Sequence, residues 1–159
     1  LPANEEIVLD GISGNAMEIV AEIDPKGAQM VEMNVLRSPQ KEEYTRIIFQ
    51  ERRGYSQPPR DRRDKDSVIT IDTTYSSILP DAASRPPEIA PVYIGKDEPL
   101  KLRVFLDRSV IEVFVNGKQC VAVRLYPGRD DSLGVSLRAQ GRDAALTSLD
   151  AWQMKSIYK

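Results

Sequence analysis

The chain of 159 residues has no histidine, a single cysteine at Cys120 and a single tryptophan at Trp152. Without histidine there is no Ser-His-Asp or Cys-His nucleophilic relay, no imidazole general base and no His-ligated zinc. With one thiol there is no intrachain disulfide, no CxxC redox pair and no thiolate zinc site. Lys plus Arg is 22 against Asp plus Glu 24, a net charge of −2. No global field therefore draws the chain to nucleic acid or to an anionic membrane. No run of about 18 apolar residues is present, which excludes a helical membrane span. The chemistry left open is that of carboxylates, of lysine or serine without imidazole, or none.

A second absence is that of helical periodicity. No segment carries apolar residues at i, i+3, i+4 and i+7 over three turns. Alternation with a period of two is abundant instead: Met17, Ile19, Ala21 and Ile23 alternate with Glu18, Val20 and Glu22. Leu102, Val104 and Leu106 alternate in the same way with Lys101, Arg103, Phe105 and Asp107. Further strands are expected at 29–36, 44–49, 67–72, 110–115, 119–126, 133–139 and 144–155. Asn116-Gly117 between two β-rich runs predicts a tight hairpin, because both central positions of a type I′ turn need positive φ. Ten or eleven strands with turn signals every 8–12 residues in the C-terminal half predict a single all-β domain over 1–159. Its expected form is a two-sheet antiparallel β-sandwich.

Two stretches break the pattern. Residues 51–66 carry interleaved basic and acidic side chains with Pro58 and Pro59 and no aliphatic residue, so a long solvated loop is expected. Residues 79–91 contain Pro80, Pro86, Pro87 and Pro91 and read as an irregular crossover. The first residues, Leu1-Pro2-Ala3-Asn4, lack the features of a signal peptide and read as a processed or excised end.

The run from Leu100 to Gly117, LKLRVFLDRSVIEVFVNG, resembles the signature hairpin of the C-terminal domain of glycoside hydrolase family 32. Gly134-Val135-Ser136-Leu137 and Ser148-Leu149-Asp150-Ala151-Trp152 are similar to that domain's closing strands, and Asn15 to Ile23 to its opening strand. The family holds invertases, levanases, inulinases and fructan exohydrolases. The resemblance implies a concanavalin A-like, lectin- or glucanase-like jelly-roll sandwich attached to an N-terminal five-bladed β-propeller that carries catalysis. It also implies an extracellular or periplasmic setting, no cofactor and no metal, and it leaves open a homodimer through the sandwich.

The propeller's catalytic motifs in that family are of the Trp-Met-Asn-Asp-Pro-Asn, Glu-Cys and Arg-Asp-Pro types. Here Trp152 is the only tryptophan, Cys120 follows Gln119, and no Arg-Asp pair is followed by proline. No catalytic residue can be assigned to the chain. Asp107 and Glu112 are rejected as a catalytic pair, since nothing around them raises one pKa above the other.

Candidate carbohydrate contacts are Trp152, Tyr55, Tyr75 and Tyr93, because sugar rings dock on aromatic faces. A lone Trp with Leu146 and Met154 on its face of a strand is nevertheless expected in the core. The corner Asp107-Arg108-Ser109 is expected to close through its Asp and Ser side chains, followed by the Asn116-Gly117 turn. Asp130-Asp131 lacks the ligand spacing of a calcium loop and reads as a solvated turn. The strand 110–115 is apolar on both faces, with Val110 and Phe114 opposite Ile111, Val113 and Val115. That suits docking against a partner domain.

Overall fold

A computed structural model describes residues 1–52, 66–83, 85–95 and 98–155. Among these residues there is no helix. The strands are β1 (Glu6–Ser13), β2 (Ala16–Asp24), β3 (Met30–Arg37), β4 (Thr45–Gln50), β5 (Ser67–Asp72) and β6 (Glu88–Val92). They continue as β7 (Leu100–Asp107), β8 (Val110–Val115), β9 (Gln119–Arg124), β10 (Gly134–Gln140) and β11 (Ala145–Gln153). One sheet has the order β1-β10-β3-β4-β5-β6 and the other β11-β2-β7-β8-β9, and every neighbouring pair is antiparallel. The two-sheet antiparallel sandwich read from the alternation is the architecture observed.

The core lies between the sheets and is made by the inward positions of each strand. Ile19, Ala21, Ile23, Val104, Leu106, Ile111, Val113 and Val115 come from one sheet, and Val31, Met33, Ile47, Phe49, Ile69, Ile71, Val135 and Leu137 from the other; all are buried. Hydrogen bonding between strands satisfies the backbone while these side chains interdigitate. Leu102 and Val115 face one another across β7 and β8, so the hairpin register sets the apolar layer on both strands at once.

The tight turns follow the sequence logic, with one change of mechanism. At Asn116-Gly117 both residues take positive φ, 50° and 63°, and the Lys118 N–H closes the turn on the Val115 carbonyl at 3.0 Å. At the β7–β8 corner, Arg108 takes positive φ of 52°. That corner is held by backbone rather than by the Asp107 and Ser109 side chains. The Arg108 N–H donates to the Asn15 carbonyl at 2.6 Å, and the Leu125 N–H donates to the Ser109 carbonyl at 2.8 Å.

Three readings of the sequence are corrected. A strand precedes Asn15: β1 lies at a sheet edge with none of its residues fully buried. The proline-rich stretch 79–91 runs into a strand, β6, at the other edge of the same sheet. Pro91 sits opposite Val68 there, where a missing N–H is tolerated because no further strand follows. Trp152 is not in the core; it is 52% exposed. The β11–β2 register shifts between Leu146 and Ser148, and this bulge inverts the alternation. Leu149 and Ala151 then face the core layer opposite Ala21 and Ile19, and Trp152 stands opposite Glu18 on the outer face.

Candidate functional site

The outer face of the six-stranded sheet carries a polar network that the alternation gave no sign of. Glu32, Asn34 and Ser136 are all buried there although they point away from the core. The Asn34 amide donates to Ser136 Oγ at 3.1 Å and to Glu32 Oε1 at 3.0 Å, and the Ser136 hydroxyl donates to Glu6 at 2.6 Å. Glu6 also pairs with Arg37 at 3.0 Å and Lys41 at 2.8 Å. Arg46 bridges Glu32 at 2.8 Å and Asp72 at 3.2 Å. Three carboxylates in one region invite a glycosidase reading, and the environments of Glu6 and Asp72 refuse it.

A general acid needs a carboxyl whose pKa is raised. Burial does push Glu6 upward, but the donors Lys41, Ser136 and Arg37 outweigh it and bring its pKa down to about 2. For Asp72, burial is again outweighed, by the Thr74 hydroxyl and amide and by Arg46, so it too lies below the ordinary value. Glu42, Glu43, Glu98 and Asp131 are displaced in the same direction. These carboxyls are held ionised and are suited to pairing, not to proton donation.

One end of the sandwich holds a second polar centre around Glu43, which is fully buried. Its carboxylate accepts from the Ile78 N–H at 2.7 Å, the Gly128 N–H at 2.7 Å, the Arg129 N–H at 3.2 Å and the Ser132 hydroxyl at 2.7 Å. Backbone N–H groups that would otherwise be unsatisfied in loops find one shared acceptor. Burial raises the Glu43 pKa, and those four donors more than offset it. The segment before β4, the segment after β5 and the turn before β10 are thereby fixed to one another. On the outside of these loops stand Tyr75, Ile78, Leu79 and Tyr126, exposed at 51%, 54%, 41% and 48%. Tyr75 stacks on Tyr44 with centroids 5.2 Å apart, and Lys41 caps the Tyr44 ring at 4.7 Å.

The aromatic candidates do not converge. Trp152 is on the edge strand of the five-stranded sheet, whereas Tyr75 follows β5 in the other sheet. Tyr93, 44% exposed, follows β6 at the opposite end of the sandwich from Tyr75, as the pairing of Ser67 with Val92 requires. Tyr55 lies outside the described residues. No row of aromatic platforms results from the described three. Asn116, named for its turn, has a wider role: its side chain accepts from the Lys101 N–H at 2.9 Å and donates to Glu98 at 3.1 Å and the Pro99 carbonyl at 2.9 Å. Asp131 is taken by Arg129 through two bonds of 2.7 Å, as befits an exposed turn rather than a metal loop.

On the outer face of β7 and β8, Phe105 and Phe114 meet edge to face with centroids 6.0 Å apart, and Arg103 lies over Phe105 at 4.9 Å. Of the apolar excess noticed in the sequence, Phe114 is thus met by Phe105 of the neighbouring strand, whose ring Arg103 overlies. Glu43 and the Glu6–Asn34–Ser136 network were invisible to periodicity. A Glu in a turn segment reads as solvated, and Ser136 and Asn34 meet only across 102 positions of sequence.

Known proteins contain domains similar to this sandwich. Levanase of Bacillus subtilis is 29% identical over 152 residues, which is 95% of this chain and 20% of that protein. Raffinose invertase of Escherichia coli is 48% identical over 64 residues, 40% of this chain and 13% of that protein. The chain therefore spans a fifth or less of these curated relatives. Among solved structures, fructan 1-exohydrolase IIa of Cichorium intybus superposes with a TM-score of 0.77 at 18% identity, over 98% of this chain and 34% of that one. Exo-inulinase of Aspergillus awamori gives 0.71 at 18% identity, over 97% and 29%. Residues 2–153 match the family described as glycosyl hydrolases family 32 C terminal, and the chain belongs to that family.

Proposed function

We propose that this chain is the non-catalytic accessory sandwich of a hydrolase that cleaves fructosyl bonds in sucrose or fructans. Its role is to support a catalytic domain outside these 159 residues, of the propeller type. The observation that carries this reading is the match over residues 2–153 to a C-terminal domain, in a chain that covers only 20% of the levanase. The carboxylates held ionised at Glu6, Glu43 and Asp72 agree with it, because a retaining glycosidase needs one carboxyl protonated about 5–5.5 Å from a nucleophile.

The test is the intact mass of the gene product in its source cells, detected with an antibody to this chain. A species several times the 17.8 kDa of the chain is expected, with fructose release from sucrose or levan by that species and none by the chain alone. A native species of 17.8 kDa would overturn the reading.

A second reading, a free carbohydrate-binding module for fructans, is favoured by the exposed Trp152 and the exposed face of the Tyr44–Tyr75 stack. Saturable binding of levan or inulin by the chain, lost in Trp152→Ala or Tyr75→Ala, would support it.

A further inference from the structure

We propose that the cleft at the open edge of the sandwich, between β6 and β9, is a site for one or two sugar units, with Arg85, Glu88 and Arg124 as its polar groups. The inference rests on the second reading above, that the chain binds carbohydrate, and moves the ligand away from the exposed aromatic residues.

β6 and β9 are edge strands of opposite sheets. Between them lies a cleft of about 320 Å³, at the small end of the range for ligand pockets. Ile71, Pro86, Val110 and Val123 supply its apolar walls. Glu88 stands opposite Ile71 in the β5–β6 register, and residues opposite one another share a face, so Glu88 leaves β6 on the side of the core. An inward charge on an edge strand ordinarily blocks pairing with another chain. That role needs no arginine, yet Arg85 from the segment before β6 and Arg124 from the end of β9 line the same cleft.

Among the described residues, the side chains of Arg85, Glu88 and Arg124 have no hydrogen-bond or ion-pair partner. What they offer is complementary. A guanidinium only donates and a carboxylate only accepts, whereas the Thr73 hydroxyl in the same wall does both. An anion would be met by the arginines and opposed by Glu88, and an apolar ligand would strand all three charges. A sugar hydroxyl both accepts and donates, so one ring serves the arginines and Glu88 together while its C–H faces lie against the aliphatic walls. The volume suits a terminal unit rather than the length of a polymer.

The core is enclosed by the chain's own two sheets, so the chain is tested as it stands. Titrations with fructose, sucrose, glucose, maltose, citrate and leucine are followed by amide NMR shifts. At least one sugar should bind saturably, with the largest shifts at 71–73, 85–88 and 122–124. Arg85→Ala with Arg124→Ala should weaken that binding about tenfold or more, because hydrogen bonds to charged groups are lost. Trp152→Ala should leave it unchanged. Glu88→Gln decides the chemistry: it should weaken a sugar about threefold or more, whereas it would tighten an anion. Arg85, Glu88 and Arg124 are exposed, so these variants should keep the urea midpoint of the unsubstituted chain, and lost binding is then not lost fold.

If sugar binding survives the double arginine variant, the cleft is overturned while the carbohydrate reading stands. If no sugar binds, both fall. Binding of citrate or leucine without any sugar would likewise overturn the assignment and give the cleft a charged ligand instead.

Discussion

The hydroxyl of Ser132 donates at 2.7 Å to a carboxylate oxygen of Glu43, a residue 89 positions earlier in the chain. Neither residue belongs to a strand, yet their contact ties the turn before β10 to the segment before β4. In an all-β domain the sheets are specified by alternation, while the relative placement of loops at one end depends on polar contacts of this type.

Glu43→Gln should therefore be strongly destabilising. The amide keeps the shape but presents N–H groups to donors that need an acceptor. Hydrogen bonds to a charged group are worth about 1.5–3 kcal/mol, and leaving buried donors unmet costs about as much. We expect a loss of about 2–4 kcal/mol in urea unfolding. Ser132→Ala, which removes one of the four donors, should cost about 1 kcal/mol.

Stability should fall on acidification in a defined window. The folded pKa of Glu6 is depressed to about 2, below its ordinary value of 4.5. Its contribution is thus fully present above about pH 4.5 and disappears as the pH falls through about 2. Glu43 and Asp72, also depressed, act in the same sense. Thermal melts between pH 6 and pH 2 should show a progressive loss beginning near the ordinary carboxylate pKa. Glu6→Gln should lower stability at pH 6 and flatten the acid limb.

Asn116→Ala should cost about 2 kcal/mol by removal of side-chain bonds to Lys101, Glu98 and Pro99 together with a residue suited to positive φ. Asn116→Gly removes the same bonds without backbone strain. The difference between the two variants in chemical denaturation isolates the cost of the left-handed conformation, about 1 kcal/mol.

Trp152→Ala should change stability by no more than about 0.5 kcal/mol, the range for exposed positions. A core tryptophan would cost about 3–5 kcal/mol. Because Trp152 is the only tryptophan, its fluorescence reports one site, and quenching by acrylamide in the native chain should approach that of the unfolded chain.

These contrasts show what the sequence made legible. β2, β7 and β8 could be read because they lie inside a sheet with one face buried, and Asn116-Gly117 because type I′ geometry admits few residues. β1 and β6 escaped because edge strands are only partly buried and tolerate Pro91 or the positive φ of Gly11. Trp152 was misplaced because a bulge at 146–148 inverts the face of everything after it, and one extra residue leaves no mark on composition. The Glu43 centre escaped for a different reason. Its donors come from two parts of the chain remote from Glu43, at Ile78 and at 128–132, and no local pattern encodes their meeting.

The strand order also has a consequence for synthesis. In one sheet β10 is inserted between β1 and β3, and in the other β11 flanks β2. Each of the first three strands thus waits for a neighbour among the last two to be made. During translation the growing chain carries open backbone edges on β1, β2 and β3 until residues 134–153 have left the ribosome. Long-range pairing of this kind is slow and exposes aggregation-prone edges meanwhile. Loss of β10 and β11 through an early stop would not leave a slightly shorter sandwich; it would strip a partner from strands in both sheets and leave a chain unable to close either.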